Sequence, residues 1–157
     1  GEDRKAFIDN DKCTGCGQCV AVCQFDAARV QWSSEGDMLS KKVAEYAFAV
    51  VKDKPALHIN FIIDVSPDCD CWGHNDRPLV EDIGIAASTD PLALDKACAD
   101  MVMEAPAAWH LREKDNDNDL RGEDKFRIAH GSTDWNTGLL HGEKIKLGSL
   151  SYKLIKI

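Results

Sequence analysis

Four of the seven cysteines cluster in Cys13-Thr14-Gly15-Cys16-Gly17-Gln18-Cys19-Val20-Ala21-Val22-Cys23, with the spacing C-x2-C-x2-C-x3-C. Thiolates two residues apart can wrap around three corners of an iron–sulfur cubane, and this run is one that binds [4Fe–4S] clusters. Gly15 and Gly17 let the backbone curl close, so that N–H groups can point at sulfur and offset its negative charge. Zinc sites more often use two separated C-x2-C knuckles, which makes zinc a substitute here. The expected cofactor ligands are therefore Cys13, Cys16, Cys19 and Cys23.

A second constellation lies in Ser66-Pro67-Asp68-Cys69-Asp70-Cys71-Trp72-Gly73-His74. Cys69, Cys71 and His74 could bind a separate zinc or iron, or complete the first cluster. They could also simply pack as buried side chains. Acidic neighbours would raise the thiol pKa values and disfavour a nucleophile. A disulfide between Cys69 and Cys71 would be strained. Cys98 falls on an apolar helical stripe and is expected in the core. His58 alternates with apolar strand residues, as an internal hydrogen-bond donor would. The Asp115–Asp119 run has calcium-loop composition, but Gly122 comes two residues too late for an EF-hand.

The elements that must position these residues read as two segments. Residues 1–33 form a small ferredoxin-like βαβ half-module: a strand over Lys5–Asp9, the cysteine loop, a helix over Gln18–Cys23 and a strand over Ala28–Trp32. Residues 38–157 form a mixed sheet-and-helix domain. Its first helix starts at Met38, with Leu39, Val43, Tyr46, Ala47, Val50 and Val51 as the apolar stripe. A buried strand is expected at Leu57–Val65 and a second core strand at Ile83–Ala87. Asp90 as N-cap and Pro91 at the first helical position open another helix. Lys114–Arg121 reads as a loop, Asp134 as the cap of a last helix ending near Gly148, and Ser151–Ile157 as a terminal strand. The fold class is α+β, with α/β as the alternative.

Composition narrows the function. An odd cysteine count argues against a closed disulfide framework. The net charge of −8, from 27 acidic and 19 basic residues, argues against nucleic acid and anionic membranes as partners. No apolar run approaches the roughly 20 residues of a membrane helix. The start Gly-Glu-Asp-Arg-Lys shows no signal peptide, so the expected setting is the reducing cytoplasm or an anaerobic cell.

The stretch from Phe7 to about Trp32 resembles one half of a bacterial two-cluster ferredoxin. One departure is Gln24, where that family usually has proline. In such ferredoxins the fourth cysteine ligates the other cluster. Cys13, Cys16 and Cys19 would then need an outside ligand. A later cysteine could supply it, a partner run could lie upstream, or Cys23 could close a single cluster; the upstream run is favoured.

Further along, Glu45-Tyr46-Ala47, Ile59-Asn60-Phe61, Ser66-Pro67-Asp68-Cys69-Asp70-Cys71, Asp82 to Pro91, Asp95-Lys96-Ala97, Leu147-Gly148-Ser149 and Tyr152 resemble the C-terminal half of the iron–sulfur family catalogued as domain of unknown function 362. That family is typically about twice this length. The resemblance therefore implies a missing N-terminal half or partner subunit, which could carry a second cysteine run and a second cluster. It also implies that the Cys69/Cys71 loop and the Asp82–Pro91 segment form one site. Asp64, Asp70, Asp82 and Asp90 lie in or beside that region, with capping and turn chemistry as the simpler role.

The leading expectation is an electron-transfer protein that docks a redox partner protein through its acidic surface. An oxidoreductase component is the second: electrons would pass to a site at Cys69, Cys71 and the start of the Asp90 helix, where a helix N-terminus could hold an anion. A structural metal module is the third.

Overall fold

Alternating residues and a left-handed turn define the sheet. β1 (His58–Ile62) pairs antiparallel with β2 (Gly84–Ser88), with Asn60 opposite Ala86 and Phe61 opposite Ile85. Beyond β1, Asp64 takes a positive φ of 46°, and its N–H donates to Asp82 Oδ1 at 3.1 Å, which fixes the chain's exit beside the approach to β2. The antiparallel pairing makes the protein α+β. The computed structural model describes residues 8–9, 11–25, 27–28, 36–67, 76–112, 118–131 and 134–157. The expected strands at Lys5–Asp9 and Ala28–Trp32 lie largely outside them.

The chain divides into two compact units, Gly1–Ser34 and Glu35–Ile157. In the first, the cysteine loop leads into the short helix α1 (Gln18–Val22), at the place the sequence indicated. The second contains α2 (Gly36–Val51), the strand pair, α3 (Pro91–Glu104), α4 (Trp109–Arg112), α5 (Lys125–Ala129) and α6 (Asn136–Lys144). α3 covers one face of the strand pair, and α6 packs against both α3 and α2.

α3 starts where its cap places it. Asp90 Oδ1 accepts the N–H groups of Leu92 at 2.9 Å and Ala93 at 3.0 Å, and Pro91 occupies the first turn. The helix buries Leu92, Ala93, Leu94, Ala97 and Val102. Each buried leucine is worth about 2 kcal/mol of transfer free energy. One apolar cluster joins Ile62, Val80 and Val102, and a second joins Leu79, Ala107, Leu111 and Leu120; Phe126 packs against both.

Lys125, fully buried, is the polar residue of that core. Its Nζ donates to the carbonyls of Met103 at 2.6 Å, Leu120 at 2.8 Å and Glu123 at 3.4 Å. The cation thereby closes the C-terminal end of α3, where carbonyls lack helical partners. Burial pushes its pKa below the usual lysine value, against the pull of Glu104, Asp119 and Glu123.

Several expectations are corrected. On α2 the buried position is Ala44, whereas Leu39, Val43, Tyr46 and Val50 of the anticipated apolar stripe are all more than 60% exposed. The helix meets α6 with its small-residue face, so apolarity alone misassigned the face. The last helix ends at Lys144, short of Gly148; Asp134 does cap it, accepting from the Thr137 N–H at 3.1 Å. Ser151–Ile157 forms no strand. This tail is tied down instead by the Ser149 N–H donating to Asp90 Oδ2 at 2.9 Å and the Tyr152 hydroxyl donating to Asp100 at 2.8 Å. The carboxylate as acceptor pushes the Tyr152 phenol up to about 12. Among the described residues, His58 Nε2 is buried without a hydrogen-bond partner, so the expected internal donor role is not seen at that atom.

Candidate metal centre

The cysteine loop is built by its glycines. Gly15 and Gly17 have φ of 73° and 74°, a left-handed conformation that costs a side-chain-bearing residue about 1 kcal/mol. The second of them leads directly into α1, where the Val20 and Ala21 N–H groups both donate to the Gly17 carbonyl at 3.0 Å. Cys13, Cys16 and Cys19 are exposed, and Cys23 is partly buried. The Ala27 N–H donates to Cys23 Sγ at 3.3 Å.

Among the described residues, no three His, Cys, Asp or Glu side chains converge closely enough to hold a metal ion. The donor set nevertheless fits an iron–sulfur cluster. It consists of four thiols on a segment with two left-handed glycines, with one N–H already directed at a thiol sulfur. Exposed side chains can rotate inward without displacing packed neighbours. Backbone donors such as Ala27 N–H carry no signature in sequence, because every residue except proline has one.

Cys69, Cys71, His74 and Asp70 lie outside the described residues. The carboxylates flanking that loop do structural work. Asp82 caps the Asp64 turn, and Asp90 has both carboxylate oxygens engaged by backbone N–H groups. A Cβ on Gly148 would sit 2.0 Å from Asp90 Oδ1, so the C-terminal tail presses directly on this cap. The start of α3 therefore does not present free N–H groups to an anion, as the sequence had suggested it could.

Cys98 is half-buried and packs against the Ile62, Val80 and Val102 cluster. It lines a groove of about 260 Å³ with Asp95, Phe126 and Trp135. Asn60 Nδ2 donates to Asp95 Oδ1 at 3.1 Å and to Cys98 Sγ at 3.4 Å. Burial pushes the Cys98 thiol pKa up; the Asn60 hydrogen bond opposes this and the Asp95 charge adds to it. The groove and the cysteine loop belong to different units. Among the described residues no helix is long and apolar enough to cross a membrane.

The model of the family described as Domain of unknown function (DUF362) matches residues 11–100. That span holds the cysteine loop, α2, both strands and most of α3, more than half of the 157 residues. No curated protein and no solved structure matches the chain significantly. The chain belongs to the DUF362 family.

Proposed function

We propose that this DUF362 chain is an iron–sulfur protein that holds a [4Fe–4S] cluster on Cys13, Cys16, Cys19 and Cys23 and acts in electron transfer. The observation that supports this best is the C-x2-C-x2-C-x3-C run with both intervening glycines left-handed. When bound, the cluster supplies one-electron exchange. The chain's own part is to provide four thiolates, bring backbone N–H groups close to sulfur, and keep the loop near solvent. The Ala27 N–H on Cys23 Sγ stabilises the charged thiolate and tunes the potential in the oxidising direction. Net charge of −8 suits docking to a basic redox partner protein, and exposed thiols suit a reducing cytoplasm. An upstream half or partner subunit with its own cysteine run belongs to the same proposal.

The test is anaerobic reconstitution followed by iron and sulfide analysis, with EPR before and after dithionite. The expected result is about four irons and four sulfides per chain and a signal that appears on reduction. Cys16→Ser should abolish both. Cys23→Ser should match it if Cys23 closes the same cluster, and should retain iron if Cys23 serves a cluster on a partner. About eight irons would bring in Cys69 and Cys71. Zinc without sulfide, even after anaerobic reconstitution, would overturn the proposal.

A further inference from the structure

A second cavity, of about 390 Å³, lies between the approach to β2, the stretch that follows α3, and α4. Glu81, Asp82 and Ile83 line it ahead of β2, Pro106 lines it after α3, and Trp109 and Arg112 line it from α4. Its size is that of a small-molecule site.

Two of these side chains have hydrogen-bonding capacity that the fold leaves unused. Arg112 Nε is buried and has no partner among the described residues, so its N–H is cut off from water without a replacement. Glu81 is exposed and accepts no hydrogen bond among the described residues. Neighbouring groups are engaged. Asp82 Oδ1 accepts the Asp64 N–H, the Ala107 N–H donates to the Asp119 carbonyl at 2.7 Å, and the Ala108 N–H donates to the Leu79 carbonyl at 2.8 Å. A guanidinium donor and a carboxylate acceptor therefore remain for a ligand. Trp109 adds a flat wall. The Arg77 guanidinium lies 5.0 Å from its ring centroid and steadies the indole, and the residue is still 51% exposed. A planar ring in the cavity can stack on it.

Charge narrows the ligand. Glu81 and Asp82 stand against Arg112, one negative charge in excess. The charges beside the cavity do not reverse that sign. Arg77 is offset by Asp76, whose carboxylate accepts the Arg77 N–H at 2.8 Å, and Asp119, whose charge acts on Arg112, is paired with Arg121. Asp64, bound to Asp82, adds a further negative charge. An anionic ligand is disfavoured, and a neutral one with both an acceptor and donors is favoured.

We propose that this cavity binds a neutral planar heterocycle whose carbonyl lies beside ring and exocyclic N–H donors, the edge shared by guanine and pterin rings. The ring stacks on Trp109, its carbonyl accepts from Arg112, and its N–H groups donate to Glu81. This inference does not depend on the cysteine loop. The test is isothermal titration calorimetry of the full reconstituted chain with guanosine, with pterin, and with adenosine, whose ring lacks the carbonyl. Guanosine or pterin should bind with a Kd below about 1 mM, the tighter one identifying the source, and adenosine at least tenfold more weakly. Trp109→Ala and Glu81→Ala should each weaken binding at least tenfold with unchanged far-UV circular dichroism, because both side chains are exposed. Arg112→Gln should weaken it as much. Guanosine monophosphate should bind several-fold more weakly than guanosine. No binding of guanosine or pterin at 1 mM would overturn the proposal. So would adenosine binding as tightly as guanosine, a monophosphate that binds more tightly than the nucleoside, or binding that survives both Trp109→Ala and Glu81→Ala.

Discussion

α1 buries no side chain, whereas α3 buries five and is capped by a residue that also holds the C-terminal tail. A five-residue helix cannot stand on propensity, because nucleation costs more than one turn returns. The second unit closes its own ledger with leucine and valine packing around α3. In the first unit the described residues offer instead a set of thiols and two left-handed glycines. On the proposed function, order in the two units has different sources: apolar burial in one and, once a cluster binds, ligand bonds in the other. Damage to either source should leave the other unit intact.

The largest separation is expected from Lys125→Ala. It strands the Met103 and Leu120 carbonyls and opens a cavity, at a cost of about 3 kcal/mol or more. Urea unfolding should show that loss while iron uptake under native conditions stays at the wild-type level. Gly148→Ala comes next. Its methyl group cannot coexist with the Asp90 carboxylate, so the α3 cap and the tail must part, for about 2 kcal/mol. The same urea titration, compared with Asp90→Ala, checks it, because the double variant should cost little more than either alone.

Thiol chemistry gives a third contrast. In chelated protein, Cys13, Cys16 and Cys19 are exposed, whereas burial raises the Cys98 thiol pKa. A chromogenic disulfide reagent at neutral pH should modify Cys98 about tenfold or more slowly than the loop thiols. Asn60→Ala should change the Cys98 rate and leave the loop rates untouched.

The smallest effect is electrostatic. The Thr137 hydroxyl at 2.5 Å and its N–H at 3.1 Å hold the Asp134 carboxyl below the ordinary 3.8. Because the folded value is the lower one, the contribution is present above the unfolded value and is lost as pH falls through the folded one. Asp134→Asn should therefore slightly lower stability near neutrality and flatten the pH profile below about pH 4, where the wild type loses the same contribution. Acid titration of the unfolding midpoint reads this directly.

What the sequence disclosed follows the same division. The cysteine run, α1, the α3 cap at Asp90 and Pro91, and the Asp134 cap were legible, because each rests on contacts within a few residues. The first strand was legible from its length and β-branched content and the second in position, but both were expected to be buried, and each is exposed on one face. The outward face of α2, the outward Ile59–Phe61 face and the unpaired tail were not legible. Periodicity reports where apolar residues lie but not which side meets a neighbour, and here Ala44 and Asn60 took the inward positions. Lys125 could not be foreseen as core, since its three carbonyl acceptors come from Met103, Leu120 and Glu123, positions without side-chain signature.

Hydrogen–deuterium exchange of the full chain, anaerobically reconstituted and then chelated, tests the division most directly. Peptides spanning Cys13–Cys23 should gain protection on loading, while those of α3 and α5 exchange identically in both forms. Equal protection of the cysteine loop in both forms, or a loss of protection in α3 on chelation, would contradict it.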